Sequence, residues 1–260
     1  MKNSSKALKI ALIAALITTV SIAMLTGAYY TYKHSQNKNL QGPEAPAETT
    51  LEEVKGPQTA EVQDTFPSSL NIELPFYTQA PHSNWDYPWQ EACEEASVLL
   101  VANLYNDLNL ELEPYNTELL RLVDWEVEYF GAYEHTTVDQ TAEMLSIQYD
   151  LESTIHMDPS FTDIQEILNR GNLIVAPFAG KLLGNPNFRN GGPNYHMLVI
   201  KGYNTDDQES GTQQIVTHDV GTRNGENYVY DWSVIQNALH NWHDTDITLG
   251  EKQLIEVIAP

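Results

Sequence analysis

The apolar pattern divides the chain into three parts. Positions 10–32 form an almost unbroken apolar run with no charge before Lys33, long enough to cross about 30 Å of hydrocarbon as a helix. A cleaved signal peptide usually has a shorter apolar core, about 7 to 15 residues, and Tyr29, Tyr30 and Tyr32 suit an interfacial belt, so the run predicts a transmembrane anchor. Positions 33–69 carry Pro43, Pro46, Pro57 and Pro67 among Glu, Thr, Gln and Ala. Such a stretch buries too little to offset its ordering entropy and predicts a disordered linker. Order resumes at LNIELPFYTQ, where Leu70, Ile72 and Leu74 alternate with polar residues as in a strand, and one domain is expected over 70–260.

Within that domain the helical spacings come first. In WQEACEEASVLLVANLY, Cys93, Ala96, Leu100, Leu104 and Leu108 recur at three and four, predicting one buried helical face with Glu91, Glu94 and Glu95 opening the first turn. NTELLRLVDWEVEYFG predicts a helix starting at Asn116 and Thr117 and stopping at Gly131. TTVDQTAEMLSIQY predicts another, capped by Thr136 or Thr137. FTDIQEILNRG places Thr162 and Gln165 like a capping box and Gly171 like a terminal glycine. The period then changes to β-branched runs at 173–178, 196–203, 213–220 and 253–258, interrupted by one helix at DWSVIQNALHNW. Helices followed by strands spaced like an antiparallel meander indicate an α+β fold with an N-terminal helical half.

Charge narrows the partners. The chain has 13 Lys and Arg against 36 Asp and Glu, a net charge of -23, and six of the basic residues (Lys2, Lys6, Lys9, Lys33, Lys38 and Lys55) precede the domain. A surface this acidic repels phosphate backbones, which excludes nucleic acid as a partner class. Lys2, Lys6, Lys9 and the amino terminus outweigh Lys33 and Lys38 across the apolar run. This bias puts 1–9 in the cytoplasm and the domain outside the cell membrane, held by a single span.

Cys93 is the only cysteine, so no internal disulfide is available, and the thiol either packs or reacts. Its place at a predicted helix N-terminus favours the thiolate. A cysteine nucleophile needs a base, a group to orient that base, and donors for the oxyanion. His196 opens the strand HMLVIKGY after the loop GNPNFRNGGPNY, and Asp219 ends the next strand, where antiparallel pairing would bring it near His196. Gln79, after the first strand, or Gln90, three residues before Cys93, could supply an amide donor. His218 should face the other side of its strand. His240, His243 and Asp244 have too few companions for a metal, and no metal or cofactor is expected. Trp85, Trp89, Trp232 and Trp242 either line a groove or fill the core.

LPFYTQAPHSNW, QEACEEAS, NYHMLVIKGYN and IVTHDVGTRNGENYVYDW, in that order, resemble the successive motifs of the peptidase C39-like family over about residues 70–258. The resemblance implies a papain-like cysteine proteinase fold, a membrane-anchored bacterial type of chain, and a Cys-His-Asp triad at Cys93, His196 and Asp219. It also implies an upstream glutamine at Gln79, with Gln90 as the alternative oxyanion donor. Bacteriocin-processing members have Cys-Gly where this chain has Cys93-Glu94 and are fused to transporter segments, so leader cleavage is not carried over. The expected activity is that of an extracytoplasmic cysteine peptidase-like hydrolase acting on an amide bond of a peptide, a protein or a cell-wall peptide. The competing expectations are a catalytically silent module of the same fold that binds peptide or cell wall, and a cell-wall amidase.

Overall fold

The computed structural model describes residues 24, 26, 27, 40, 42–56, 66–205 and 211–260. The run 10–32 expected to span a membrane lies outside the described residues apart from Met24, Thr26 and Gly27. Among the described residues no helix is long and apolar enough to cross a membrane. The chain separates into two units, 1–41 and 42–260, and the second holds the domain.

A seven-stranded antiparallel sheet runs through that unit. Its strands are β1 (Ser69–Asn71), β2 (Ser153–Met157), β3 (Leu173–Ala179), β4 (Tyr195–Asn204), β5 (Gln214–His218), β6 (Tyr228–Asp231) and β7 (Gln253–Val257), in the order β2-β7-β3-β4-β5-β6 with β1 added to β4. The four runs expected as strands are β3, β4, β5 and β7, and β3 to β6 form the expected meander. β2 and β6 were not legible, because STIHM and YVYD are too short to show a period. Every side chain of β3 is buried, which is why LIVAPFA reads as a continuous apolar run instead of an alternating one.

The helices are α1 (Leu51–Lys55), α2 (Cys93–Tyr105), α3 (Leu112–Tyr129), α4 (Val138–Tyr149), α5 (Phe161–Asn169) and α6 (Trp232–Ala238). The helical half followed by the sheet is the α+β, papain-like layout expected. In detail α2 departs from its one-faced pattern. All its residues except Leu104 are buried, Glu94 and Glu95 included, and Leu108 lies beyond its end at 37 % exposure. A helix apolar on all sides goes through a core and not along its surface. Two caps also move. α3 starts after Glu111, ahead of Asn116, and α5 is capped by a box of Ser160 and Asp163, displacing the one expected from Thr162 and Gln165. For α4 the cap is Thr137, boxed with Gln140.

The expected linker at 33–69 needs a larger correction, because residues 42–56 pack on the domain. Thr49 pairs with Ile72 as an isolated parallel bridge, its N–H donating to Asn71 O at 2.7 Å while its carbonyl accepts from Glu73. Asn71 Nδ2 donates to Pro46 O, and the Lys55 ammonium reaches Pro260 O. The anchor is Lys201, whose side chain is fully buried and donates to Glu48 at 2.7 Å and Asn227 at 2.5 Å. Composition misled here because the segment is held mainly by backbone pairing and one buried cation, with only Leu51 and Val54 packed against the core.

Burial pushes the Lys201 ammonium down, and Glu48 opposes it. Removing the carboxylate should therefore expose the cost of a buried cation. Glu48→Gln is expected to lower stability by about 1–3 kcal/mol, read as the shift of a urea midpoint. Lys201→Met, which removes the charge and keeps the volume, should be closer to neutral. Equal losses in the two variants would show that the ion pair does not hold the segment.

Candidate functional site

Cys93 is the first residue of α2, entered through a short 3-10 turn at Trp89–Glu91 and Ala92 with no side-chain cap. Gln79 fixes that entry. Its backbone N–H donates to Val220 O, and its side-chain nitrogen donates to Trp89 O at 2.9 Å and Gln90 O at 3.0 Å. Both amide N–H groups are thus spent on the turn before the thiol, and Gln79 Oε1 is buried without a donor. Gln90 sends its own amide outward to Glu91. The N–H groups of the first turn of α2 have no intrahelical acceptor and point their dipoles at the sulfur end.

The base is built from β4. His196 pairs in register with Phe178 of β3, is 1 % exposed, and makes a 2.8 Å bond from Nε2 to Asp219 Oδ1. Its Nδ1 has no hydrogen-bond partner among the described residues. Phe188 meets the ring edge-on at 5.3 Å. Gly221 lies flat against it: a Cβ there would stand 2.7 Å from His196 Cε1. Asp219, one residue past β5, receives four donors. His196 and the Gly221 N–H bind Oδ1, while Asn185 at 3.0 Å and the Tyr230 hydroxyl at 2.6 Å bind Oδ2. Burial alone would raise this carboxyl, yet the imidazole and the other donors hold it below the ordinary carboxylate range.

The thiol itself faces a different partner from the one expected. Cys93 Sγ donates to Glu94 Oε2 at 2.9 Å, and no hydrogen bond joins it to His196. The two are neighbours all the same: both line one cleft, and the main chain of Met197, the residue after His196, acts on the thiol in the direction that favours its ionised form. Burial, then the Glu94 carboxyl, push the thiol well up. Glu94 is fully buried, and its second oxygen accepts from Thr136 N at 3.1 Å. Burial raises its carboxyl to about 8. Glu95 faces Glu126, and burial, with that facing carboxyl, pushes Glu95 well up. Glu126 is raised to about 7 by burial, while Glu95 and the Thr136 hydroxyl at 2.9 Å favour its ionised form. Both Glu95 oxygens and Glu126 Oε2 are buried without a donor from another group, which is why burial pushes both carboxyls up.

A cleft of about 550 Å³ brings Cys93, His196, Gln79 and Gln90 together, with Trp85 and Phe188 on its walls. His218 stays out of it. Its Nε2 donates to Leu74 O and its Nδ1 accepts from Asn227 N, and burial pushes the ring down to about 3, so it is neutral. The other tryptophans serve packing: Trp89 and Trp232 lie against the core, and Trp242 stacks on His135 at 4.0 Å. His240 lies beyond α6 and bonds Gly250 O. Sequence reasoning missed Asn185, Tyr230 and Gly221 around Asp219. Gly221 alone carried a signal, as a glycine two residues past a strand-ending aspartate.

The C39-like family model, described as the Peptidase_C39 like family, matches residues 71–246. A solved structure of a candidate C39-like peptidase from Bacillus anthracis is 14 % identical, with 72 % of this chain and 94 % of that one covered at a TM-score of 0.46. No curated protein matches. The family match spans Gln79, the cysteine helix, His196 and Asp219, and on that extent the chain belongs to the peptidase C39-like family.

Proposed function

We propose that this chain is a cysteine peptidase-like hydrolase that cleaves an amide bond through Cys93, His196 and Asp219, working outside the cytoplasm from a membrane anchor at 10–32. One observation carries the catalytic part: His196 is clamped through Nε2 onto Asp219 while Nδ1 is left unbonded beside a cleft that also holds the Cys93 sulfur. An imidazole fixed at one nitrogen and free at the other can take the thiol proton and later give it to the leaving amine. The sulfur attacks the carbonyl carbon, the C–N bond breaks with the amine carrying that proton, and water then releases the acyl group. The oxyanion would form beside the unpaired N–H groups at the start of α2. Gln79 joins them by releasing one N–H from the Trp89 or Gln90 carbonyl. The bond from the thiol to Glu94 favours a second reading, a silent peptide- or cell-wall-binding module, because it holds the proton on sulfur.

These readings separate on the full-length chain with a mixed peptide substrate pool and purified cell-wall stem peptide. Cys93→Ser should reduce hydrolysis to background with little change in unfolding midpoint, and His196→Ala should do the same to hydrolysis while also lowering the midpoint, because it strips buried Asp219 of a donor. Gln79→Ala should cost roughly 100-fold to 1000-fold in rate, and Gln90→Ala should cost little. Hydrolysis that survives Cys93→Ser would sink the assignment, and cleavage of stem peptide alone would identify an amidase.

Glu94 gives a further test, read as pH dependence. While its carboxylate accepts the S–H, ionising Cys93 places two negative charges together in a buried site, so the thiol is held up. Glu94→Gln removes that charge and should bring the thiol down. The midpoint of iodoacetamide alkylation is expected to fall by about one pH unit or more, a tenfold gain in reactivity on the alkaline side of neutral. An unmoved profile would show that Glu94 does not hold the proton.

A further inference from the structure

All 36 acidic residues follow Gln41, whereas five of the 13 basic ones, Lys2, Lys6, Lys9, Lys33 and Lys38, precede it. In the domain unit, then, cations are outnumbered more than fourfold, and most are already engaged. Arg121 pairs with Glu118, Arg170 with Glu256 and Lys201 with Glu48. Lys55 and Lys252 bond main-chain carbonyls. Only Lys181, Arg189 and Arg223 have no acceptor among the described residues, and both arginines line the cleft that holds Cys93 and His196.

Their placement is built into the loops that carry the site. Arg189 follows Phe188, whose ring packs on His196, and Arg223 comes four residues after Asp219. Asn224 Nδ2 donates to Asn187 Oδ1 at 2.7 Å, tying the two loops so that the arginines belong to one rim. No aspartate or glutamate occurs from Ile167 to Thr205, a gap of this length being conspicuous in so acidic a chain. Of the cleft-lining residues Glu91 is the one acid; burial raises its carboxyl, and the amide of Gln90 engages it. Arg223 also borders a second hollow of about 210 Å³ beside Phe76, Tyr77 and Pro81, so a chain leaving the cleft in that direction passes its guanidinium.

We infer that Arg189 and Arg223 form a carboxylate-recognition rim, and that the substrate is a peptide bearing an acidic group near the scissile bond. This rests on the hydrolase reading above and deepens it. Guanidinium is the group suited to a carboxylate, which it meets through two parallel N–H donors. An acidic domain repels an acidic peptide everywhere else, so a local pair of unneutralised arginines both admits such a ligand and orients it. The carboxylate can come from a Glu or Asp side chain or from the peptide's own C-terminus.

The test uses the full-length chain and quenched fluorescent peptides of equal length. One set carries Glu, Gln or Lys beside the cleaved bond with an amidated C-terminus; the other has neutral side chains and either a free or an amidated C-terminus. The Glu peptide or the free-carboxylate peptide should exceed its neutral partner roughly tenfold in kcat/KM, the advantage shrinking as salt is raised. Whichever set shows the preference identifies the source. Arg189→Gln and Arg223→Gln should erase the preference, read as the ratio of kcat/KM for the acidic and the neutral peptide, while Lys181→Gln, outside the cleft lining, should leave that ratio intact. If no peptide is cleaved, the hydrolase reading fails, and equilibrium binding of the same peptides decides the inference separately. Equal handling of Glu and Lys peptides with equal handling of free and amidated termini, or a preference that outlasts both arginine variants, would overturn it.

Discussion

The structure depends on how it accommodates acid groups inside the core at the head of α2. A helix apolar on every side has to pass through the interior, and its first turn then carries Cys93, Glu94 and Glu95 in with it. Three ionised groups there would cost far more than the domain's stability could bear, so protons must be retained. Burial pushes Cys93, Glu94 and Glu95 all up, so near neutral pH the thiol and the carboxyl it meets at 2.9 Å each keep a proton. The sequence pattern put these glutamates at the opening turn, off the buried face of the helix. Buried, they become the group that decides where the thiol proton sits.

Asp219 is accommodated in the opposite way. It is as deeply buried as Glu94, but four donors surround it where Glu94 has two, and it is stabilised as the anion. The two arrangements respond to pH with opposite signs. Glu94 and Glu126 are raised in the folded state, to about 8 and about 7, so their contribution to stability is full in acid and is lost as pH rises through those values. Asp219 is lowered; its contribution is full above the ordinary carboxylate range and is lost only as acid protonates it. Between the two windows the imidazole keeps its orienting anion while the acids near the thiol still hold protons.

What was legible in the sequence follows from the range of the interactions. The strands β3, β4, β5 and β7 could be read because each is an apolar run, and Asp219 could be placed because antiparallel pairing is a local rule once the strands are known. Residues 42–56 could not, since Thr49 and Glu48 are ordinary residues whose role depends on partners more than twenty and more than 150 positions away at Ile72 and Lys201. The thiol's partner was equally hidden. Glu94 is adjacent to Cys93 in sequence, but that its side chain turns back onto the sulfur depends on Thr136 N holding its other oxygen.

Strand β4 joins these features mechanically. Its first residues bring His196 to Asp219 and to the wall of the cleft that holds Cys93. Near its other end the pairing with β5 shifts between Ile200 and Gly202, a bulge that leaves Lys201 as the extra residue and aims it at Glu48. Gly202 is required there, because a Cβ would stand 2.3 Å from the Leu70 carbonyl as β1 closes on the strand. A slip of one residue along β4 would turn His196 to the other face of the sheet and carry Lys201 away from its carboxylate in the same movement. The segment at 42–56 and the glycine under β1 therefore constrain the imidazole without touching it, through the register of the one strand they share.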